Sequence, residues 1–112
     1  MATAPDTPSL EGWDIHRAGE AEWVPWGETG DARAKVLGNG DGYFLVLVEA
    51  EAGYTGTPHE HAHTEFLYVL DGRLRTQGEQ MGPGDGYAAA TGSVHTDFAA
   101  EERSTYLSIF KL

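Results

Sequence analysis

Apolar and polar residues alternate in short runs along the chain from residue 32 onward. Glycine-containing segments separate the runs, and no stretch places apolar residues at i, i+3, i+4 and i+7 over three helical turns. Alternation with a period of two is typical of strands with one buried face. The pattern predicts little helix and seven strands, at residues 34–37, 43–51, 58–62, 65–70, 74–77, 86–90 and 104–112.

Three segments between these runs have the composition of turns. They are residues 38–42, the pair Asp71-Gly72, and residues 82–86. Glycine, asparagine and aspartate adopt positive φ angles at low cost, which is what tight connections between strands require. Short strands joined by such turns predict an all-β fold, either an antiparallel sandwich or a barrel.

The N-terminal part of the chain has a different character. Residues 1–11 mix proline, alanine, threonine, serine and aspartate without periodicity, which predicts a flexible arm and leaves residues 12–112 as a single domain. All three tryptophans lie between Gly12 and Gly30, and residues 23–26 read WVPW. We expect this apolar segment to pack on the outside of the domain or against a second subunit.

Length and charge narrow the function classes. A chain of 112 residues suffices for one domain with its own core and is too short for two ordinary ones. Seven Lys and Arg face 18 Asp and Glu, for a formal net charge of −11. Such a surface repels phosphate backbones and anionic lipids, so neither a nucleic acid nor a membrane is the expected partner.

The residue types that are missing narrow the chemistry. The chain has no cysteine, which excludes disulfides, thiolate metal sites and cysteine nucleophiles. Any metal is therefore held by nitrogen and oxygen. The first eleven residues lack a basic segment followed by an apolar run, and the apolar stretch 43–48 is far too short for a membrane span. A cytoplasmic location is the resulting expectation.

Four of the five histidines lie in two places. His59, His61 and His63 occur in the segment PHEHAHTE, and His95 follows more than thirty residues later. On a strand, residues i and i+2 project from the same face, so His59 and His61 can present two imidazoles to one point. A turn at residues 62–64 can fold Glu65 back beside them. Three imidazoles and one carboxylate would hold a divalent metal and leave positions open for water or substrate.

The spacing of these residues resembles the signature of a known family. Residues 53–72, GYTGTPHEHAHTEFLYVLDG, follow the pattern G-x5-H-x-H-x3-E-x6-G and resemble the first motif of the cupin superfamily. The region from Gly84-Asp85 to His95 resembles the second motif, with a glycine three residues before the histidine. It departs from that motif at Ala90, where the family usually has proline, and at Ala99, where it often has asparagine.

The resemblance covers roughly residues 35–112 and implies a fold and a site. The implied fold is a conical β-barrel of two packed antiparallel sheets, jelly-roll-like, with one divalent ion (Fe, Zn, Ni or Mn) near its wide mouth. The implied ligands are His59, His61, Glu65 and His95. We expect His63 to lie in the turn and to point outward. The chain is most similar to small single-domain cupins, including the metal-binding half of zinc anti-sigma factors and dihydroxyacetophenone and diketone dioxygenases.

Other residues are weaker candidates for the site. Leu67 and Val69 share a strand face with Glu65 and are expected to form an apolar wall or plain core. Asp97 follows His95 by two residues and could orient an imidazole or act as a base, unless it is merely a solvated strand end. The phenols that could donate a proton or bind substrate are Tyr43, Tyr54, Tyr87 and Tyr106, with Tyr54 and Tyr87 as the catalytic candidates.

The hypotheses for function follow from this site. The first is a metal-dependent enzyme that acts on a small organic molecule in an apolar cavity, with dioxygenase-like chemistry ahead of redox-neutral cyclase, isomerase or lyase chemistry. The second is a non-catalytic metal-bound module that senses a small molecule. A sugar-handling cupin would need Arg73 or Arg75 to face inward and bind acid groups. His16 has no assigned chemistry.

A homodimer is also expected. Surplus apolar surface from the Trp-rich segment and from the alternating run 105–112 would be buried if edge strands of two copies pair.

Overall fold

The alternating runs form eleven strands in the computed structural model, which describes residues 7–112. These residues contain no helix, and so none with the length and apolar character of a membrane span. Most of the expected N-terminal arm, residues 1–6, lies outside the described residues. The strands are β1 (Val24–Pro25), β2 (Ala32–Gly40), β3 (Tyr43–Ala50), β4 (His59–Glu60), β5 (Glu65–Asp71), β6 (Leu74–Thr76), β7 (Glu79–Met81), β8 (Gly86–Ala89), β9 (Val94–His95), β10 (Phe98–Ala100) and β11 (Ser104–Lys111).

The strands assemble into three antiparallel sheets. Six of them form one sheet in the order β1-β2-β3-β11-β5-β8, three form a second sheet in the order β10-β6-β7, and β4 pairs with β9. The predicted all-β fold is confirmed. Within residues 7–112, β8 pairs only with β5 and β7 pairs only with β6. The architecture is therefore an open sandwich of antiparallel sheets, which is one of the two alternatives that the strand pattern predicted, rather than a closed barrel.

The core lies between the six-stranded and three-stranded sheets. Val46 and Val48 of β3, Val69 of β5 and Tyr106 of β11 are buried on the inner face of the larger sheet, and Leu74 of β6 is buried from the other side. Neighbouring residues on the same strands are more exposed, which is the period of two that the sequence shows. This alternation fixes which side chains can reach the space between the sheets.

Two tight turns explain why the observed strand ends differ from the predicted ones. Asp41 and Gly42 both have positive φ angles, 53° and 81°, and form the two-residue connection between β2 and β3. The predicted turn at residues 38–42 is thus correct at its end, while residues 38–40 belong to β2. Gln77 and Gly78, with φ angles of 49° and 79°, make an equivalent connection between β6 and β7. Left-handed conformation at both positions is typical of type I′ hairpins.

The N-terminal Trp-rich segment differs from expectation. Val24 and Pro25 pair with Ala34 and Arg33 as β1, which brings the chain across the end of the sheet. Trp26 then turns inward and packs on Phe110, with ring centroids 5.8 Å apart. The expectation that this segment packs on the outside of the domain is wrong for Trp26, because strand pairing of its neighbours directs its side chain toward the core.

The C-terminal strand also differs from expectation. The run 105–112 is expected to contribute apolar surface to a dimer that forms by pairing of edge strands. In the structure β11 lies in the middle of the large sheet, between β3 and β5, and pairs with both. This run is therefore not itself an edge strand.

Candidate metal centre

Three imidazoles meet where the two-stranded sheet faces the inner side of the large one. His59 on β4 lies directly opposite His95 on β9 in the antiparallel register. His61 follows β4, and its backbone continues the pairing through bonds to Ser93 and Gly92. The ring centroids lie 4.8 Å apart for His59 and His61, 5.4 Å for His59 and His95, and 5.5 Å for His61 and His95.

The nitrogens of these rings have the separation that a single ion requires. One nitrogen from each of His59, His61 and His95 lies within 4.8 Å of the others. His61 and His95 are buried, whereas His59 is exposed at the cavity side. The sequence predicted this meeting from the i and i+2 spacing of His59 and His61, and the β4–β9 pairing supplies the third ring.

Hydrogen bonds orient two of the rings and leave one nitrogen of each free. Nδ1 of His59 donates to the carbonyl of Thr57 at 2.8 Å. Nδ1 of His61 lies 3.2 Å from the carbonyl oxygen of Ser93 and 3.0 Å from its hydroxyl. A backbone carbonyl on Nδ1 fixes the tautomer in which Nε2 carries a lone pair, as in metal-ligating histidines.

The Nε2 atom of His61 is the clearest sign that the cluster suits a cation. This atom is buried and has no hydrogen-bond partner among residues 7–112. Oε2 of Glu65 lies 3.4 Å from it without hydrogen-bond geometry. A buried polar atom without a partner costs free energy, and a cation between the ring and the carboxylate would satisfy both groups. The donor set therefore fits a divalent ion.

His95 sits in a different environment from the other two rings. Its Nε2 lies 2.7 Å from the hydroxyl of Thr76 on β6. Burial lowers the pKa of His95, and the neighbouring His59 and His61 lower it further, against an opposing contribution from Glu65. A lowered pKa favours the neutral imidazole, which is the form that binds metals.

Glu65 is held by a phenol beside the cluster. The hydroxyl of Tyr87 donates to Oε1 of Glu65 at 3.2 Å. Burial of Tyr87 raises its pKa strongly, and the adjacent Glu65 raises it further. Tyr87 thus stays protonated at neutral pH and acts as a donor. Of the phenols that the sequence offered, Tyr87 and Tyr54 line the cavity, and Tyr106 lies at its inner wall.

The histidines open into a cavity of about 550 Å³ between the sheets. Its wall is mainly apolar, which confirms the predicted role of Leu67, while Val69 is fully buried core and does not reach it. Six aromatic residues also line the cavity: Trp26, Tyr54, Tyr87, Phe98, Tyr106 and Phe110. No sequence pattern indicates that Trp26 or Phe110 faces the cavity, because their inward direction depends on strand pairing far from the histidine motif.

The structure does not bring the remaining candidates into the cluster. Asp97 accepts bonds from Arg75 Nε at 2.9 Å and from the Gly78 amide at 2.9 Å, and it does not line the cavity. The Arg75 guanidinium and the Gly78 amide lower the pKa of that carboxyl. Arg73 is exposed on the same outer side of β6, so neither arginine reaches a substrate in the cavity. His63 is exposed at the cavity rim, outside the group of three imidazoles.

Comparison with known proteins gives consistent matches. The model of the ChrR Cupin-like domain matches residues 14–111. The pectin degradation protein KdgF of Dickeya dadantii (strain 3937) is 33% identical over 93 residues, which cover 78% of this chain and 84% of that protein.

Two solved structures extend the comparison. The complex of Rhodobacter sphaeroides SigE with the anti-sigma ChrR matches with a TM-score of 0.68 and 26% identity over 85% of this chain and 51% of that chain. An acetylacetone dioxygenase from Acinetobacter johnsonii matches with a TM-score of 0.75 and 15% identity over 99% of this chain and 80% of that chain, a likeness of fold.

Proposed function

The chain belongs to the ChrR cupin-like domain family, and from this premise we propose that it is a metal-dependent enzyme acting on a small organic molecule. The observation that carries the proposal is the buried, unpartnered Nε2 of His61, which faces two further imidazoles at the bottom of an apolar cavity. A site of this kind can hold a metal ion, and the ion can in turn bind the oxygen atoms of a small organic molecule in the cavity.

We assign His59, His61 and His95 as the metal ligands, with Glu65 as the fourth. Carbonyl bonds to Nδ1 of His59 and His61 support these two ligands, and the Tyr87 hydroxyl orients the carboxylate. When bound, an ion in this set supplies Lewis acidity to substrate oxygens and, as iron, supplies dioxygen chemistry. The group of three imidazoles whose nitrogens approach one another does not include His63, which supports leaving it outside the ligand set.

The cavity favours a compact substrate without acid groups. Its wall is mainly aromatic and aliphatic, and Lys111, the lysine among its described lining residues, directs its Nζ over the Tyr43 ring at 5.2 Å. Because this ammonium group is engaged with Tyr43, the metal site would be the main partner for a carboxylate substrate. A small ketone or phenol, which combines an apolar body with metal-binding oxygens, fits better.

Oxygen use is the first reaction class we propose. Imidazoles with one carboxylate are a ligand set that leaves open positions on iron, and an apolar wall keeps water from competing for them. Tyr87 can hold its proton beside Glu65 throughout, because burial keeps its pKa raised. The chain's own contribution is thus to orient the carboxylate, exclude water and position an apolar substrate.

A redox-neutral reaction is the second candidate, and the comparison with KdgF favours it. That relative is named for pectin degradation and is 33% identical, whereas the dioxygenase is 15% identical. In this case an ion held by the same ligands would polarise a carbonyl or hydroxyl group without consuming dioxygen, and proton transfer would fall to a neighbouring group such as Tyr54 or Tyr87.

The experiment that separates these functions starts with elemental analysis of untagged protein. Protein loaded anaerobically with iron is then supplied with small diketones and phenolic ketones, and both oxygen uptake and product are measured. Oxygen consumption that matches product supports the first class. Equal conversion without oxygen moves the function to the redox-neutral class, and metal binding without turnover of any compound supports a sensing module. Failure to bind any divalent ion overturns the proposal.

A further inference from the structure

Two serines on β11 have similar positions and different surroundings. Ser104 and Ser108 both point to the inner side of the large sheet and are 1% and 5% exposed. The Ser104 hydroxyl accepts the Arg73 amide at 3.0 Å and donates to the carbonyl of Glu102 at 2.8 Å. The Ser108 hydroxyl forms no hydrogen bond with any of residues 7–112. Hydrogen bonding within the fold therefore explains the first serine and not the second.

The sheet register explains why Ser108 has no protein partner. Its neighbours across the strands are Leu67 of β5 and Val46 of β3, which are both aliphatic. Directly paired residues share a sheet face, so the side chains beside the hydroxyl offer it neither a donor nor an acceptor. Ser108 lines the cavity, and its oxygen is not among the sealed polar atoms without a partner. The hydroxyl therefore faces the cavity.

Tyr106 presents a second hydroxyl of the same kind. The residue is 3% exposed, lines the same cavity and lies between Val48 and Val69 in the sheet. Its ring packs edge-on against Phe98, with centroids 5.7 Å apart, which holds the phenol in place. Within the described chain its hydroxyl has no hydrogen-bond partner either. Burial raises the pKa of Tyr106 well above 10.0, so the group is a donor at neutral pH.

These two hydroxyls lie beyond the metal centre, toward the buried end of the cavity. The successive inward residues of β5 are Glu65, Leu67 and Val69. Ser108 pairs with Leu67, and Tyr106 pairs with the fully buried Val69. Successive inward residues lie about 7 Å apart along a strand, so Ser108 is one such step from Glu65 and Tyr106 is two. A ligand that reaches from the metal centre to Ser108 passes over the aliphatic Leu67.

We propose that the hydroxyls of Tyr106 and Ser108, the β11 hydroxyl pair, bind a neutral oxygen atom at the end of the ligand that is remote from the metal. This inference rests on the proposed function, in which the metal centre holds the first oxygen. A buried hydroxyl without a protein partner costs free energy, and a ligand hydroxyl or carbonyl removes that cost on binding. The pair is uncharged and does not compensate a carboxylate. The ligand class is therefore a compact molecule with a neutral oxygen function at each end of an apolar body.

Binding of phenol and of two benzenediols to zinc-loaded protein tests the β11 hydroxyl pair. Zinc has no redox chemistry, so titration calorimetry records binding without turnover. Phenol supplies one oxygen, whereas 1,3- and 1,4-benzenediol add a second on the far side of the ring. We expect at least one diol to bind wild type about 10-fold more tightly than phenol does, which is the effect of one or two neutral hydrogen bonds.

Two variants remove the hydroxyls one at a time. Tyr106→Phe and Ser108→Ala should each bind that diol about 3- to 10-fold more weakly than wild type and bind phenol with unchanged affinity. Tyr68→Phe is the matched control, because Tyr68 points outward from β5 and is 48% exposed. It should bind the diol as wild type does. An equal loss for phenol and the diol would show a general change of the cavity and overturn the proposal.

Urea unfolding of the metal-free protein supplies a readout that depends on neither metal nor ligand. Ser108→Ala removes a hydroxyl that has no protein partner, so its unfolding midpoint should equal or exceed that of wild type. Ser104→Ala breaks the bonds to Arg73 and Glu102 and should have a lower midpoint. If the midpoint of Ser108→Ala falls as far as that of Ser104→Ala, the Ser108 hydroxyl is structural and the proposal fails.

The failure of this inference is distinguishable from failure of the proposed function. Protein that binds neither zinc nor iron in elemental analysis overturns the metal centre itself. Zinc-loaded protein that binds phenol and both diols with equal affinity, or that binds none of them, overturns the β11 hydroxyl pair alone. So does a diol affinity that Tyr106→Phe and Ser108→Ala leave unchanged.

Discussion

The hydroxyl of Tyr87 donates a hydrogen bond of 3.2 Å to Oε1 of Glu65. The other oxygen of this carboxylate, Oε2, lies 3.4 Å from the unpartnered Nε2 of His61. Tyr87 would therefore act on the proposed ion only through Glu65. Its hydrogen bond to Oε1 determines which oxygen of the carboxylate faces the imidazoles. Partners of this kind orient metal ligands and change affinity when they are removed.

Replacement of Tyr87 by phenylalanine should weaken metal binding without removing it. Loss of the hydroxyl frees the Glu65 carboxylate to rotate, and changes of this type cost about 10- to 100-fold in metal affinity. Isothermal titration of the metal-free protein measures the effect. Tyr43→Phe is the matched control, because Tyr43 is 45% exposed and lies outside the cavity. Equal affinity of both variants and wild type would show that Tyr87 does not position the ligand.

Single alanine variants of the histidines should distinguish the three proposed ligands from His63, which we do not assign as a ligand. His59→Ala, His61→Ala and His95→Ala each remove a nitrogen from the cluster, so elemental analysis of the purified proteins should find most of the metal lost. His63→Ala removes an exposed imidazole at the rim and should keep wild-type stoichiometry. Loss of metal from His63→Ala, with retention in His59→Ala, would reverse the assignment.

The stability of the fold should decrease above pH 10. Burial raises the pKa of Tyr54, Tyr87 and Tyr106 from the ordinary value of 10.0. Between the unfolded and folded pKa values, the native state holds more protons than the unfolded state, so the unfolding free energy falls as pH rises. The stabilisation is complete below pH 10, where both states are protonated.

Urea unfolding at increasing pH measures this decrease directly. The Tyr106→Phe variant should show a shallower loss, since it removes one of the three protons from the difference. A wild-type unfolding free energy that stays constant well above pH 10 would show that these phenols ionise as readily in the folded protein as in the unfolded chain.

The sequence predicted the imidazole pair and missed much of the cavity, for a physical reason. The position of His59 beside His61 follows from local strand geometry, and the site needs only the β4–β9 pairing to add His95. Trp26 and Phe110 come from segments far apart in the chain, and they meet because β1 pairs with β2 and β11 lies centrally. Period-two patterns indicate the face of a side chain but not the neighbour of its strand.

The shortest strands were the least predictable. β1, β7, β9 and β10 contain two or three residues each, which is too short for an alternating pattern to emerge. They form because longer strands and tight turns hold them in register. The Gln77-Gly78 turn is an example, since Gln77 adopts a positive φ of 49°. A positive φ angle is uncommon for glutamine, so the sequence does not predict it.

Gly72 links the two main sheets, and its substitution by alanine should destabilise the fold far more than that of another turn glycine. Its φ angle is 89°, and an added Cβ would lie 2.3 Å from the carbonyl oxygen of Arg103 and 2.4 Å from the hydroxyl of Ser104. That hydroxyl accepts the Arg73 amide at 3.0 Å and donates to Glu102, so relief of the clash would break both bonds.

Gly78→Ala is the matched control, because Gly78 has a φ of 79° at the other end of β6 and nothing within 4 Å of an added Cβ. The left-handed backbone alone should cost the control about 1–2 kcal/mol of unfolding free energy. The Gly72 variant should lose this amount and a further about 2 kcal/mol or more from the clash and the broken bonds. Urea denaturation of both variants measures the difference. Equal losses would mean that the β5–β6 connection can move away from Arg103 at no cost, and that the packing of this turn does not hold the two sheets together.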